Sequence, residues 1–165
     1  MSVSIKRLGP GDEATLELLA KEDADFDVEG RGRPLTPLKP GVAMRYLANP
    51  GVLHWVATNG TEVTGFLCCA VVLLRSGSGQ ELLLYEIGVR KAWRRKGLGR
   101  ALLTHMETWM KSNDVGEVWV CADNPAAVAF YRGCGFGVET EQPVYMTRTV
   151  DPAPKKAAST LLSFG

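Results

Sequence analysis

One stretch, residues 82–110, constrains this chain more than any other. Residues 82–89 (Leu82-Leu83-Leu84-Tyr85-Glu86-Ile87-Gly88-Val89) form a short, largely apolar run, as a buried strand does. Leu98, Ala101, Leu102, His105, Met106, Trp109 and Met110 then recur at helical spacing. Between the two lies Arg94-Arg95-Lys96-Gly97-Leu98-Gly99. A helix N-terminus presents unpaired N–H groups and a partial positive charge, which together bind phosphate. Glycines let the backbone approach the ligand, and flanking Arg and Lys add charge-assisted hydrogen bonds. A pyrophosphate ligand accounts for all of these features at once. A solvated basic turn that happens to hold two glycines is the alternative. The segment lacks the Walker pattern, and it lacks the third glycine of a dinucleotide fingerprint.

The rest of the chain supplies partners for that unit. A strand over 3–8 ends at Gly9-Pro10-Gly11, and Asp12 is placed to cap a helix through about Ala20. Residues 21–33 have no apolar period and read as a loop, prolonged by Pro34, Pro37 and Pro40. A short helix over 42–48 stops at Asn49-Pro50-Gly51. Strands over 52–58 and 63–74 flank Asn59-Gly60, a strong hairpin signal. After the basic turn and its helix come a strand over 117–122, a helix over 125–133 and a closing strand over 144–150. The expected order is β-α-α-β-β-β-α-β-α-β, a mixed α/β sheet with helices packed on it. A length of 165 residues suits one domain over 1–150, with a Pro/Lys/Ala-rich tail over 151–165.

Charge narrows the chemistry. The net charge of +1 gives no global field for nucleic acid or membranes. Locally the charges separate: eight acidic residues and one Lys lie in 12–29, whereas six basic residues and no acidic one lie in 90–100. That polarity suggests one site for a cation and another for an anion. The basic segment is too short to read as a nucleic-acid surface. Cys68, Cys69, Cys121 and Cys134 match no zinc spacing and read as reduced thiols, so no metal is expected. With no leader at Met1 and no membrane-length apolar run, a cytoplasmic location is expected, and a bacterial source is compatible.

Two motifs together resemble a known superfamily. Arg94-x-x-Gly97-x-Gly99 after Tyr85-Glu86-Ile87-Gly88-Val89 resembles the acetyl-CoA signature of the GCN5-related N-acetyltransferases (GNAT). Asn124-Pro-Ala-Ala-Val-Ala-Phe-Tyr131, running on to Phe136, resembles the second signature of that superfamily. The resemblance covers roughly residues 3–150. It implies a fourth strand (82–89) splayed from the fifth (117–122), with the pantetheine arm of acetyl-CoA in the gap. A bulge near Gly88 would free N–H groups of Ile87 and Val89 for the thioester and pantetheine. Arg94, Arg95, Lys96, Gly97, Leu98, Gly99 and Arg100 would hold the pyrophosphate. Asn124 would contact the coenzyme, and Tyr131 would contact it and protonate the departing thiolate. Glu86, an acid in an otherwise apolar strand, suits a general base that deprotonates the amine; a structural ion pair is the other reading.

Within the superfamily the chain most resembles the aminoglycoside 3-N-acetyltransferases of the gentamicin-modifying type, which typically carry Asp where this chain has Glu86. The resemblance implies a polycationic small-molecule acceptor, acetylated directly in a ternary complex, with antibiotic resistance as the role. Such an acceptor needs carboxylates, and Asp23, Asp25, Asp27, Tyr85, Glu86 and Asp123 are the expected substrate contacts. A polyamine or basic peptide would be attracted by the same charges, so another amine acceptor stays open. A non-catalytic acyl-CoA sensor would keep the basic loop but could dispense with Glu86 and Tyr131. Leu161, Leu162 and Phe164 of the tail are placed to reach a second copy in a homodimer.

Overall fold

Runs of apolar and β-branched residues pair into one sheet in this computed structural model, which describes residues 3–26, 35–77, 79–141, 144 and 146–150. Its strands are β1 (Val3–Arg7), β2 (Val52–Asn59), β3 (Glu62–Leu73), β4 (Gln80–Val89) and β5 (Val118–Trp119), adjacent in that order. β1 through β4 pair antiparallel; β5 pairs parallel to β4. Helices α1 (Glu13–Lys21), α2 (Asp23–Phe26) and α3 (Pro40–Ala48) precede β2, α4 (Leu98–Ser112) connects β4 to β5, and α5 (Pro125–Gly133) follows β5. The expected mixed α/β sheet with helices on both faces is present. The parallel β4–β5 pair is joined by a helical crossover, as parallel pairing requires.

Alternation along the strands divides the interior in two. Leu53, Trp55 and Ala57 of β2, Leu67 and Cys69 of β3, and Leu82 and Leu84 of β4 pack with Leu98, Leu102, Leu103, Met106 and Met110 of α4. On the opposite face Val56, Val63 and Phe66 pack with Leu8, Leu19 and Phe26 and with Leu47 of α3. The hairpin turn falls one residue later than Asn59-Gly60 suggests. Asn59 pairs with Glu62, so Gly60 and Thr61 are the central residues, and Gly60 takes φ +60°. Glycine at the first central position is the demand of a type II′ turn.

Three expectations need correction. The loop over 21–33 contains a single helical turn, α2, whose Asp23 and Phe26 are buried; residues 27–34 are outside the described set. The strand expected over 117–122 shrinks to Val118–Trp119, because β5 finds partners only at Leu82 and Leu83. None of the described residues among 144–150 lies in a strand, and Val144, Met146 and Val150 are exposed. A strand exists only through the ladder it joins, and propensity alone does not create one. The tail 151–165, with its proposed dimer contacts, is outside the described residues.

Candidate functional site

β4 and β5 part after Leu83, and a cleft of about 670 Å³ opens between them. β4 contributes Tyr85, Glu86, Ile87, Gly88 and Val89, the basic turn and α4 contribute Arg94, Arg95, Gly97, Leu98, Gly99 and Arg100, and α5 with its preceding loop contributes Asp123, Asn124 and Tyr131. Asp23 and Phe26 of α2 also line the cleft. Expected site residues distant in sequence are thus brought together. Three are not. Lys96 does not line the cleft: its Nζ donates to the Ala92 carbonyl at 2.8 Å and lies over the Trp93 ring. Asp25 instead accepts from Arg90 Nη1 at 2.9 Å. Asp27 lies outside the described residues.

A bulge determines where Glu86 points, and it is not near Gly88. Cys68 of β3 pairs with Glu86 but Cys69 pairs with Leu84, so Tyr85 is the extra residue. Leu84 faces α4, and unbroken alternation would send Glu86 the same way, into apolar packing. The inserted residue reverses the parity. Ile87 and Val89 pack on the α4 side, while Glu86 and Gly88 face the opposite side, Glu86 toward Tyr46 and His54 and Gly88 against Phe66 and Phe26. Gly88 is required there, since a Cβ would run into the Phe66 ring and come within 3.1 Å of Phe26 Cβ. Residues 85–86 therefore reach the cleft from the face of α1 and α3, whereas the basic turn reaches it from the face of α4.

At the basic end, Gly97 is the N-cap of α4 at φ +82°, a conformation that disfavours other residues. It has no side chain to bond the first-turn amides, so those groups are directed at whatever occupies the cleft. Arg95 beside it also sits at φ +61°. Arg94 is braced: Nε donates to the Val89 carbonyl and Nη2 to the Phe26 carbonyl, both at 2.9 Å. Arg100 Nη2 donates to the Gly133 carbonyl at 2.6 Å. The α5 N-terminus is built differently. Asn124 Oδ1 accepts from Ala127 N at 2.8 Å and its Nδ2 donates to Asp123 Oδ1 at 3.0 Å, with Pro125 in the first turn. Asn-Pro at a helix start signals this cap.

Three carboxylates, Asp23, Glu86 and Asp123, line the same cleft. The separation of charge seen in the sequence is partly satisfied internally. Arg90 donates to Glu22 Oε2 at 2.5 Å as well as to Asp25, and its Nε lies 3.6 Å from Glu62 Oε1. These pairs, unforeseen from the sequence, tie α2 to the end of β4. Tyr131 is buried against Phe130 and Phe136, with ring centroids 5.2 Å away in each case. Burial, with Cys69 and Asp123 nearby, pushes its hydroxyl up to about 12, so it carries its proton at any ordinary pH. Among the described residues no group of His, Cys, Asp and Glu is assembled to hold a metal, and no helix is long and apolar enough to cross a membrane.

With this geometry in place, comparisons with known proteins agree on a family. Residues 17–136 match the model of the Acetyltransferase (GNAT) family. The [ribosomal protein bS18]-alanine N-acetyltransferase of Escherichia coli K12 is 33% identical over 99 residues, 59% of this chain and 63% of that protein. The match thus spans slightly less than two thirds of that relative. The protein of the same description from Salmonella typhimurium LT2 is 30% identical over 132 residues, 76% of this chain and 82% of its own length. Among solved structures, an aminoglycoside acetyltransferase from an uncultured soil metagenomic sample, in complex with sisomicin, superposes with a TM-score of 0.77. Its identity is 22%, covering 90% of this chain and 96% of the other.

Proposed function

Because the chain belongs to the acetyltransferase (GNAT) family, we propose that it transfers the acetyl group of acetyl-CoA to an amine of a polycationic small molecule, the 3-amino group of an aminoglycoside being the intended acceptor. One observation carries this reading: a single cleft is lined by the open N-terminus of α4, by three arginines and by three carboxylates, Asp23, Glu86 and Asp123. The residues present fit the coenzyme. Open first-turn amides with Arg94, Arg95 and Arg100 suit a pyrophosphate, and the gap between β4 and β5 suits a slender arm.

The division of labour then follows from placement. An ammonium is no nucleophile, so it must lose a proton before nitrogen attacks the thioester carbon. Glu86, turned to the acceptor side by the bulge, accepts that proton directly or through a water. As the C–N bond forms and the C–S bond breaks, the leaving sulfur takes a proton from the Tyr131 hydroxyl, and the second proton shed by the nitrogen as it becomes an amide restores the phenol. A phenol whose pKa is pushed up to about 12 is protonated and available for this step. Asp23 and Asp123 hold the acceptor's other ammonium groups. Structures of aminoglycoside acetyltransferases, similar in fold at 22% identity, support the acceptor class.

A second reading has its own support. The curated relatives at 33% and 30% identity are named for acetylating the alanine of a ribosomal protein, so a peptide α-amine is the rival acceptor. Thiol release from acetyl-CoA decides between them, using gentamicin, sisomicin, kanamycin, spermidine and an alanyl peptide with the purified chain. Release with aminoglycosides, followed by product analysis showing 3-N-acetylation, is the expected result. Release with the alanyl peptide alone would overturn the acceptor class. Binding of acetyl-CoA with no release across the panel would overturn catalysis in favour of a sensor.

A further inference from the structure

Helix α2 is four residues long, too short to keep its shape unaided, yet it supplies Asp23 and Phe26 to the lining of the cleft. Arg94 braces the Phe26 carbonyl at its end. Arg90, which follows β4, grips the turn by its side chains. Nη2 donates to Glu22 Oε2 at 2.5 Å, one residue before α2 begins, and Nη1 to Asp25 Oδ2 at 2.9 Å, within it. The guanidinium carbon also lies over the Phe26 ring, 4.8 Å from its centroid.

Arg90 is anchored to the sheet. Its backbone N–H donates to the Thr64 carbonyl and its Nε to the Val63 carbonyl, both at 2.9 Å, and its side chain is mostly buried. A guanidinium presents its donors in a rigid planar fork, so these bonds specify where α2 sits relative to β3 and β4. Phe26 packs edge-on against Phe66 of β3, ring centroids 5.5 Å apart, on the face of the sheet to which Glu86 turns. None of Arg90, Glu22 and Asp25 lines the cleft, whereas Asp23 and Phe26, the residues they fix, do.

We infer that Arg90 is a positioning residue for the acceptor: through Glu22 and Asp25 it holds α2 so that Asp23 and Phe26 line the cleft together with Glu86. The inference rests on the acetyl-transfer reading above. It gives Asp25, placed by the sequence among the substrate contacts, a part in acceptor binding at one remove. The same ion pairs could instead do no more than neutralise two acids. Removing Arg90 would then free two carboxylates, and a polycation would bind more tightly. The two roles predict opposite signs.

Steady-state kinetics of Arg90→Ala, Arg90→Lys and Asp25→Asn, with gentamicin and with an alanyl peptide, separate them. Arg90→Ala should raise the KM of the acceptor that turns over about tenfold, with kcat and the KM for acetyl-CoA within about twofold, since Glu86 and α4 are untouched. Should Arg90→Ala not fold, Arg90→Lys, which keeps the charge and loses the fork, carries the test with a rise of about threefold. Asp25→Asn should raise the same KM about threefold in the wild-type background. It should add nothing to Arg90→Ala, because the bond it breaks is already gone. An acceptor KM that falls on loss of Arg90, equal rises in both KM values, or an Asp25→Asn effect that persists without Arg90 would each overturn the positioning role. If the wild-type chain acetylates neither acceptor, the acetyl-transfer reading itself falls and takes this inference with it, a failure visible before any variant is made.

Discussion

The α4 start and Glu86, which line one cleft, present charge by different means. At the α4 end the ligand-facing groups are largely backbone. Gly97 at φ +82° leaves the helix start uncapped, and Arg94 and Arg100 are held in place by carbonyls of Val89, Phe26 and Gly133. At Glu86 the group is a side chain, and its direction depends on a single inserted residue, Tyr85. Backbone recognition requires particular residues at the glycine positions and tolerates change elsewhere. Side-chain recognition depends on pointing, and pointing depends on register. Under the proposed function, the first arrangement suits the constant coenzyme and the second an acceptor that can differ between relatives.

The largest expected effect lies at Glu86. Glu86→Gln keeps the shape of the side chain and removes its basicity, so turnover should fall by about 10²- to 10⁴-fold. Acetyl-CoA affinity, measured by calorimetry, should stay within about twofold, because the α4 end is untouched. A comparable fall in coenzyme affinity would mean that the two ends are not separable. Arg94→Ala comes next. Loss of a charge-assisted contact weakens coenzyme binding roughly 10- to 100-fold. The same side chain donates to the Phe26 carbonyl, so acceptor KM should rise as well, by a smaller factor. Arg100→Ala, which removes a side chain braced on the Gly133 carbonyl, should weaken coenzyme binding alone.

The same contrast explains what was legible in the sequence. The glycine-capped start of α4 was legible because glycines and cations between a strand and a helix are a local signature. Helix α5 was legible to the residue, Pro125–Gly133, because Asn124-Pro125 is a cap and first-turn pair. The bulge was not, since a two-against-one count of residues needs the partner strand, here Cys68 and Cys69. The short β5 and the unpaired residues 144 and 146–150 failed for a related reason: alternation states a willingness to pair and says nothing about whether a partner is in reach. Among the acids, Asp25 looked like a substrate contact until Arg90, 65 residues away in the chain, claimed it.

Tyr131→Phe should reduce turnover about tenfold, the low side of a proton-transfer contribution, with both KM values little changed. Its pH dependence sharpens the assignment. A hydroxyl at about 12 is still protonated at about pH 10, so the wild-type profile should show no alkaline loss below that point. An alkaline limb that appears below about pH 10 and disappears in the phenylalanine variant would show that the tyrosine ionises earlier than its burial implies.

Asp123→Asn is the smallest effect and the most direct probe of the cleft's carboxylates. Asp123 is exposed, and its Oδ1 already accepts from Asn124 Nδ2 at 3.0 Å. A solvent-screened carboxylate contributes little to holding an ammonium, so acceptor KM should rise about two- to fivefold for a polycation. The effect should shrink as salt is raised from about 0.05 M toward about 0.5 M, because the Debye length shortens below the separation of the charges. A monocationic amine bound at Glu86 alone should not register the change. If a monoamine and an aminoglycoside respond equally, Asp123 acts through the α5 cap it touches rather than through charge, and the coenzyme KM will then move with it.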